Sequence, residues 1–220
     1  MVPVTREQFF AVFTTYNEAV WPAQGALILL ALLAVYAALR ATRGGGRAAP
    51  AVLAVLWLWM GAVYHLTFFA PVNPAAYLFG VLFVVQALLF GRESLRHGLN
   101  LRVRRDAYGV LGMILVVYAL LIYPIVCVLA GHGYPAAPTF GAPCPTTIFT
   151  FGVLLWADRR VPAHLLPVPF LWSLAGASAV WVYGVAADVA LPLAALAGLG
   201  MILWRNHRLG PVHHPQPARA

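Results

Sequence analysis

The sequence predicts an all-α fold, a polytopic membrane helix bundle of about seven transmembrane helices with an interfacial helix at its N-terminus. Of the 220 residues, 62% are apolar and only 9% are charged, against about 25% charged residues in soluble domains. So few charges cannot cover a globule in water, and intrinsic disorder needs the opposite composition. The lengths of the apolar segments and the distribution of the charges support the same fold.

Seven segments are candidates for membrane helices, because a bilayer core of about 30 Å needs roughly 20 apolar residues in a helix. They are 21–39, 51–69, 76–90, 107–130, 140–157, 164–183 and 186–204. The connections between them are short, so residues 21–205 are predicted to form a single transmembrane helix-bundle domain.

Arginine supplies all 14 basic residues, and its distribution predicts the orientation of the bundle. With seven crossings, only Arg6 falls on one side, and the other arginines, at 40–47, 92–105, 159–160 and 205–219, fall on the opposite side. Because positive charge marks the cytoplasmic side, the N-terminus is predicted outside and the C-terminus in the cytoplasm. Topology accounts for the net charge of +8, so no nucleic-acid partner is expected.

The fifth segment is the weakest of the seven. Its apolar run, Ile148 to Ala157, is too short to cross a bilayer, and Pro143 and Pro145 precede it. Yet the arginines on both sides of segments four and five are expected on one face of the membrane, so the chain must cross back here. The sequence therefore predicts a short or interrupted helix, which membranes tolerate only where it is buried in protein or lines a cavity.

Residues 1–20 are predicted to form an amphipathic helix at the outer surface. Thr5 and Gln8 have the spacing of a capping box. Apolar side chains recur near one face at helical spacing: Phe9, Phe10, Phe13, Tyr16 and Val20. This helix either lies in the membrane interface or packs on the bundle. Residues 206–220, rich in proline and histidine, are predicted to be a disordered cytoplasmic tail.

Uncommon polar residues concentrate toward the predicted outer face and are the candidates for a binding site. The candidates for solute binding are Asn17, Glu18, His65, Asn73 and Asp188. His65 follows Ala51 by about 21 Å of helix, a depth at which an ionisable group usually faces the bundle interior and marks a site. Plainer interpretations remain open: an interhelical hydrogen bond for His65 and a helix N-terminal position for Asp188 and Glu18.

His65, His132 and Cys144 are candidate metal ligands, because imidazole and thiolate suit zinc, copper or another soft or borderline ion. Their spacing is not that of a known metal motif, so no cofactor follows from the sequence. Cys144 is equally interpreted as a small buried apolar residue, or as bridged to Cys127 in an oxidising exterior. The absence of lysine excludes Schiff-base chemistry and a Walker-type phosphate loop.

Four strings of residues carry a resemblance to a known family. They are YNEAVWPAQ at 16–24, YHLTFFAPVNPAA at 64–76, GHGYP at 131–135 and FGAPCPTTIFTFG at 140–152. Together they resemble a family of small polytopic bacterial membrane proteins, domain of unknown function 6064, over about residues 5–205. The resemblance implies a multi-helix protein of the bacterial inner membrane. It implies no activity and no catalytic residues.

Three hypotheses for the function remain open at this point. The first is an outward-opening polar pocket that binds or transports a small solute or a soft metal ion. The second is a membrane-embedded metal-dependent or redox enzyme, although the chain contains no nucleophile elbow and no zincin motif. The third is a non-catalytic subunit of a larger membrane complex or of a homo-oligomer. The lipid bilayer is a partner in all three.

Overall fold

The computed structural model describes residues 4–40, 45–96 and 99–209, and within these ranges the chain forms eight helices and no strand. The helices are α1 (Arg6–Val20), α2 (Ala23–Arg40), α3 (Gly46–Phe69), α4 (Ala75–Arg96), α5 (Ala107–Leu129), α6 (Pro143–Leu155), α7 (Ala163–Tyr183) and α8 (Ala186–Arg208). Residues 210–220, most of the predicted tail, lie outside the described residues, as does Arg43.

The six helices α2, α3, α4, α5, α7 and α8 are long and apolar enough to cross a membrane. Their bounds follow the segments read from hydropathy to within a few residues, with α4 the main exception because it continues to Arg96. Helix α6 is a shorter apolar helix, at the position where the sequence predicts a short or interrupted span. The prediction of a helical membrane bundle is confirmed.

The arginine-bearing connections meet at one end of the bundle. The Arg102 amide donates to the Trp156 carbonyl at 2.8 Å, and the Leu99 amide donates to the Gly46 carbonyl. The Arg160 guanidinium donates to the Asn206 carbonyl at 2.7 Å. We call this the Arg-rich end, and the opposite end, which carries Arg6, the Arg-poor end. Contacts between loops thus support the grouping of charges, while the assignment of the Arg-rich end to the cytoplasm stays a prediction.

Helix α6 lies at the centre of the bundle, and all of its residues are buried. It packs against α5, α7 and α8, with α3 on a further side. At 1.5 Å per residue it is about 20 Å long, so it does not span a bilayer core by itself. The chain enters it through residues 130–142 at the Arg-poor end. This is the buried setting that an interrupted membrane helix requires.

Both ends of α6 are fixed by neighbouring groups. At its start, Gly141 has φ +98°, a left-handed conformation that favours glycine, and its amide donates to Thr146 Oγ1 at 3.1 Å. Pro143 occupies the first turn, where its missing N–H costs nothing. At the other end, the buried Arg205 of α8 donates to the carbonyls of Leu155 and Leu154 at 2.8 and 3.2 Å. A cation thus binds the carbonyls of the last turn.

Helix α1 packs on the Arg-poor end of the bundle. The predicted capping box between Thr5 and Gln8 is present. The apolar face, including Phe9, Phe13 and Tyr16, is buried in a small hydrophobic cluster with residues of α3 and α7. The opposite face exposes polar side chains. Protein therefore covers the face that the interfacial interpretation assigns to lipid, and the structure favours the packing interpretation of this helix.

Candidate functional site

A cavity of about 140 Å³ lies at the Arg-poor end, beneath α1 and against the first residues of α6. Its walls include seven aromatic side chains: Phe9, Phe13, Tyr64, Phe69, Phe79, Trp172 and Tyr183. Phe9 of α1 stacks on Tyr183 of α7 with ring centroids 4.0 Å apart, which forms part of the roof. Asn73, Ser178 and Tyr183 line the cavity and keep part of their surface exposed, so the cavity is not sealed.

The start of α6 brings a thiol to this cavity. Ala142, Pro143 and Cys144 all line it, because the chain turns into α6 directly beside α7. The Cys144 thiol lies next to the Asp188 carboxyl and the Trp172 indole. Neither contact has the geometry of a hydrogen bond, so Trp172 Nε1 and Asp188 Oδ2 have no partner. One hydrogen-bonding group without a partner, Trp172 Nε1, therefore lies in the cavity wall, and the other, Asp188 Oδ2, lies behind the thiol.

Asp188 is held inside the bundle by the start of α8. Residues Ala186–Val189 form a 3₁₀ turn, and the Asp188 side chain is 1% exposed. The Tyr123 hydroxyl of α5 donates to Asp188 Oδ1 at 2.5 Å, and the Tyr118 hydroxyl donates to the Ala187 carbonyl at 2.8 Å. The two tyrosines leave Oδ2 free, on the side of Cys144.

His65 is buried in an aromatic box next to the cavity. Neither ring nitrogen has a hydrogen-bond partner, and the ring centroids of Phe83 and Trp172 are 4.7 and 5.0 Å away. His65 lies in the π-helical stretch Met60–Phe69 of α3, where the Ala70 amide bonds back to its carbonyl. Such π-bulges occur frequently at functional sites. The interpretation of His65 as an interhelical hydrogen bond is not supported, because its ring makes none.

Asn17 of α1 holds the loop that leads to α6. Its amide nitrogen donates to the carbonyls of Pro135 and Ala137. Its oxygen accepts from Gln24 at 2.7 Å and from Thr139 at 2.8 Å. All four hydrogen bonds that this amide can make are therefore formed within the protein. We infer that Asn17 is a structural clamp and not a ligand for a solute.

Replacing Asn17 with Ala is expected to lower the free energy of unfolding by about 2–3 kcal/mol, because two carbonyls lose a donor and the side chains of Gln24 and Thr139 each lose one of their hydrogen bonds. Hydrogen exchange in residues 134–139 should become faster. The matched control is Glu18→Ala at the exposed neighbouring position, which should change stability by less than about 0.5 kcal/mol. Equal stability of the two variants, measured by thermal unfolding in detergent, would contradict the clamp.

Of the remaining candidates, Asn73 lines the cavity with Cys144, whereas His132 and Glu18 do not. Asn73 lines the cavity, and its side-chain oxygen accepts from the Ala75 amide at the start of α4, at 3.0 Å. His132 stacks on Phe10 with centroids 4.1 Å apart, and its Nε2 is 3.3 Å from the Arg6 guanidinium. Glu18 is exposed on α1. Of the predicted site residues, the structure brings together Asn73, Cys144 and Asp188, with His65 behind the aromatic wall.

The three candidate metal ligands do not form a common site. His132 contacts α1, neither ring nitrogen of His65 has a partner, and Cys144 faces the cavity. Among the residues that the structure describes, no group of three or more His, Cys, Asp or Glu side chains could hold a metal ion. Cys127 and Cys144 are both free thiols, so the disulfide interpretation of Cys144 is wrong for this structure.

Several residues of the site carry no signal in the sequence. Tyr123 and Trp172 lie inside apolar spans, where aromatic residues are ordinary core or membrane-belt residues. Tyr16 accepts from the Trp59 indole at 2.7 Å and donates to the Gly141 carbonyl. Burial raises the pKa of Tyr16 to about 12, although the Trp59 hydrogen bond lowers it. The phenol is therefore protonated at neutral pH and holds the glycine turn that precedes α6.

A model of a known protein family matches most of the chain. The model described as "Family of unknown function (DUF6064)" matches residues 6–211. The chain belongs to this family. No curated protein and no solved structure matches the chain. Membership confirms the resemblance seen in the sequence and supplies no activity.

The strings that carry the family resemblance surround the cavity. String 64–76 supplies Tyr64, Phe69 and Asn73, and string 140–152 supplies Ala142 to Cys144. String 16–24 supplies Asn17 and Gln24, which hold the loop beside the cavity. The function of this family member is therefore best sought at the cavity.

Proposed function

We propose that this protein binds a small solute in the cavity at the Arg-poor end, on the predicted outer side, and that transport across the membrane is the activity this binding serves. The observation that carries the proposal is the opening of the cavity onto the first residues of α6. A buried helix that begins at membrane depth is the arrangement by which many secondary transporters contact their substrates.

The walls of the cavity indicate a small, largely apolar solute. An apolar cavity of about 150 Å³ accommodates a molecule the size of benzene, and the volume here is about 140 Å³. Seven aromatic side chains line the cavity beside several small residues, and Asn73, Ser178 and Cys144 add polar atoms. A strongly hydrated ion would lose its water without gaining ligands in such surroundings.

The free groups near the thiol indicate which polar group the solute carries. Asp188 Oδ2 is a buried acceptor without a partner, and a buried unpaired acceptor costs free energy until a donor reaches it. Asp188 does not line the cavity itself and lies behind Cys144, so a hydroxyl or an amine on the solute would supply that donor by reaching past the thiol. A carboxylate would not, because two carboxylates at close range repel each other. We therefore expect neutral or cationic solutes with a hydrogen-bond donor.

The other hypotheses have less support from the site. The soft-metal version needs His65, His132 and Cys144 near one another, and they are apart. A Cys–His nucleophile needs the imidazole within hydrogen-bond reach of the thiol, and both ring nitrogens of His65 lack any partner. A solute-binding cavity requires the residues that already line it, together with the Asp188 carboxyl behind Cys144.

The accessibility of Cys144 tests the proposal. In a Cys127→Ala background, Cys144 is the sole cysteine. Methyl methanethiosulfonate, a small neutral reagent, is expected to modify Cys144 in the folded protein. A maleimide bearing a long polyethylene glycol chain should react only after denaturation. In sealed vesicles, a membrane-impermeant thiosulfonate should reach Cys144 from the side that carries the Arg-poor end.

Filling the cavity provides the matched comparison. Ala175→Phe adds a ring at a residue that lines the cavity, and it should slow modification by about tenfold because thiol reactivity follows access. Leu174→Phe, at the exposed neighbouring position on α7, should leave the rate unchanged. A folded protein whose Cys144 resists the small reagent would contradict the proposal, as would equal rates in the two variants.

A further inference from the structure

We propose that the groove between α3 and α4 at the Arg-rich end binds one anionic phospholipid. The groove has a volume of about 490 Å³ and faces away from the bundle core. Ala54 and Leu58 of α3 and Leu88 and Gly91 of α4 form its apolar floor and sides, and Arg92 and Arg96 close one end. This site is independent of the cavity at the other end.

The two arginines form a cationic pair on one face of α4. They are four residues apart, so their side chains project from the same face of the helix. Like charges at this spacing destabilise a helix slightly, and a bound anion would remove that cost. Among the described residues, the salt bridges within 4 Å are those of Arg104, and Glu93, three residues before Arg96, is buried and pairs with neither arginine. The pair is thus free to bind a phosphate.

Small residues create the apolar part of the groove. A Cβ atom placed on Gly91 would have Ala54 Cβ as its nearest neighbour, at 3.9 Å, so glycine leaves room here without being required by the packing. Leu88 and Leu58 stand at the edges and are 67% and 48% exposed. From Ala87 to Leu95 the groove runs about 12 Å along α4, enough to hold part of an acyl chain.

The arginine pair and the apolar part of the groove together favour a lipid over other anions. Inorganic phosphate alone would bind the arginines and leave the apolar part of the groove empty. A phospholipid places its acyl chain against α3 and α4 and its phosphate at the membrane surface, where arginines at a helix end contact head groups. A phosphate ester with a net negative charge, as in phosphatidylglycerol, fits better than the zwitterionic phosphatidylcholine, whose choline would face the two guanidinium groups.

Native mass spectrometry and thermal unfolding of the full chain in detergent test this inference, with added dioleoyl phosphatidylglycerol or dioleoyl phosphatidylcholine. We expect phosphatidylglycerol to bind and to raise the unfolding temperature more than phosphatidylcholine does. The double variant Arg92→Gln/Arg96→Gln should weaken phosphatidylglycerol binding about tenfold or more. The control Arg102→Gln/Arg105→Gln removes the same charge from exposed positions outside the groove and should bind like the wild type.

A third variant separates the lipid from a simple anion. Gly91→Leu fills the groove and keeps both arginines, so it should weaken phosphatidylglycerol binding but leave the effect of inorganic phosphate unchanged. Gly200→Leu, at a position open to its surroundings, controls for added bulk. Three results would overturn the inference: equal binding of the two lipids, equal losses in the two double variants, or wild-type lipid binding by Gly91→Leu.

Discussion

Replacing Arg205 with Met is expected to lower the free energy of unfolding by about 2–3 kcal/mol. The guanidinium donates to the carbonyls of Leu154 and Leu155 at the end of α6 and lies 5.3 Å from the Tyr108 ring centroid. Without it, two buried carbonyls lose a charged donor where the helix dipole is negative. The lower desolvation cost of Met offsets only part of the loss.

Arg208 provides the matched control for this variant. It lies one turn later on α8 and is exposed, with its guanidinium over the Trp204 ring. Arg208→Met removes the same charge from the same helix and should change the stability by less than about 0.5 kcal/mol. Arg205→Lys should lower the stability by an amount between those of Arg208→Met and Arg205→Met, because a lysine reaches one carbonyl and not two. Thermal unfolding in one detergent compares all three, and equal midpoints for the two Met variants would contradict the capping role.

Substitution of Gly152 by Ala is expected to destabilise the bundle by about 3 kcal/mol or to prevent its folding. A Cβ atom at Gly152 of α6 would lie 2.9 Å from the Gly112 carbonyl oxygen of α5 and 2.9 Å from Val116 Cγ2. The first contact is with backbone, so the two helices would have to separate. Close approach through small residues is a common way for membrane helices to associate.

The same contact can be tested from the other helix. A Cβ atom at Gly112 would clash with Trp156 Nε1 and lie 2.8 Å from the Gly152 carbonyl oxygen, so Gly112→Ala should also disturb the hydrogen bond from Trp156 to the Gly109 carbonyl. Gly25 and Gly200 have nothing within 4 Å, and alanine there should be neutral or slightly stabilising because it favours helix. Monodisperse, wild-type-like Gly152→Ala protein would contradict the close packing of α5 and α6.

The spans and the grouping of the arginines could be predicted because the rules that govern them act along the chain. A helix needs a certain length of apolar sequence to cross hydrocarbon, and the arginines follow the side of the membrane. Even the irregular α6 was predictable, because its apolar run is short and preceded by Pro143 and Pro145, while the arginines on either side require a crossing.

The partners of the polar residues could not be predicted, because they depend on how distant segments pack. Asn17 and Asp188 are both isolated polar residues near predicted helix ends. In the structure Asn17 is fully bonded to residues 135–139 and to Gln24, whereas Asp188 keeps one free oxygen beside Cys144. No pattern in the sequence distinguishes Asn17, the structural clamp, from Asp188, the proposed binding residue.

Helix α1 shows the same limit. An apolar face at helical spacing is required both for a helix that lies in lipid and for one that packs on protein. The contact of Phe9 with Tyr183, far along the chain, decides between the two, and it is visible only in the folded molecule.

Ligand protection of Cys144 tests the central proposal most directly. In the Cys127→Ala background, the rate of modification by methyl methanethiosulfonate is measured with benzyl alcohol, benzylamine, toluene or benzoate, which share a ring and differ in the polar group. The two ligands with a donor are expected to protect Cys144 better than toluene, and benzoate least. Asp188→Asn should weaken protection by benzylamine about tenfold. Equal protection by benzoate, or protection by benzylamine that does not change in Asp188→Asn, would contradict the proposed site.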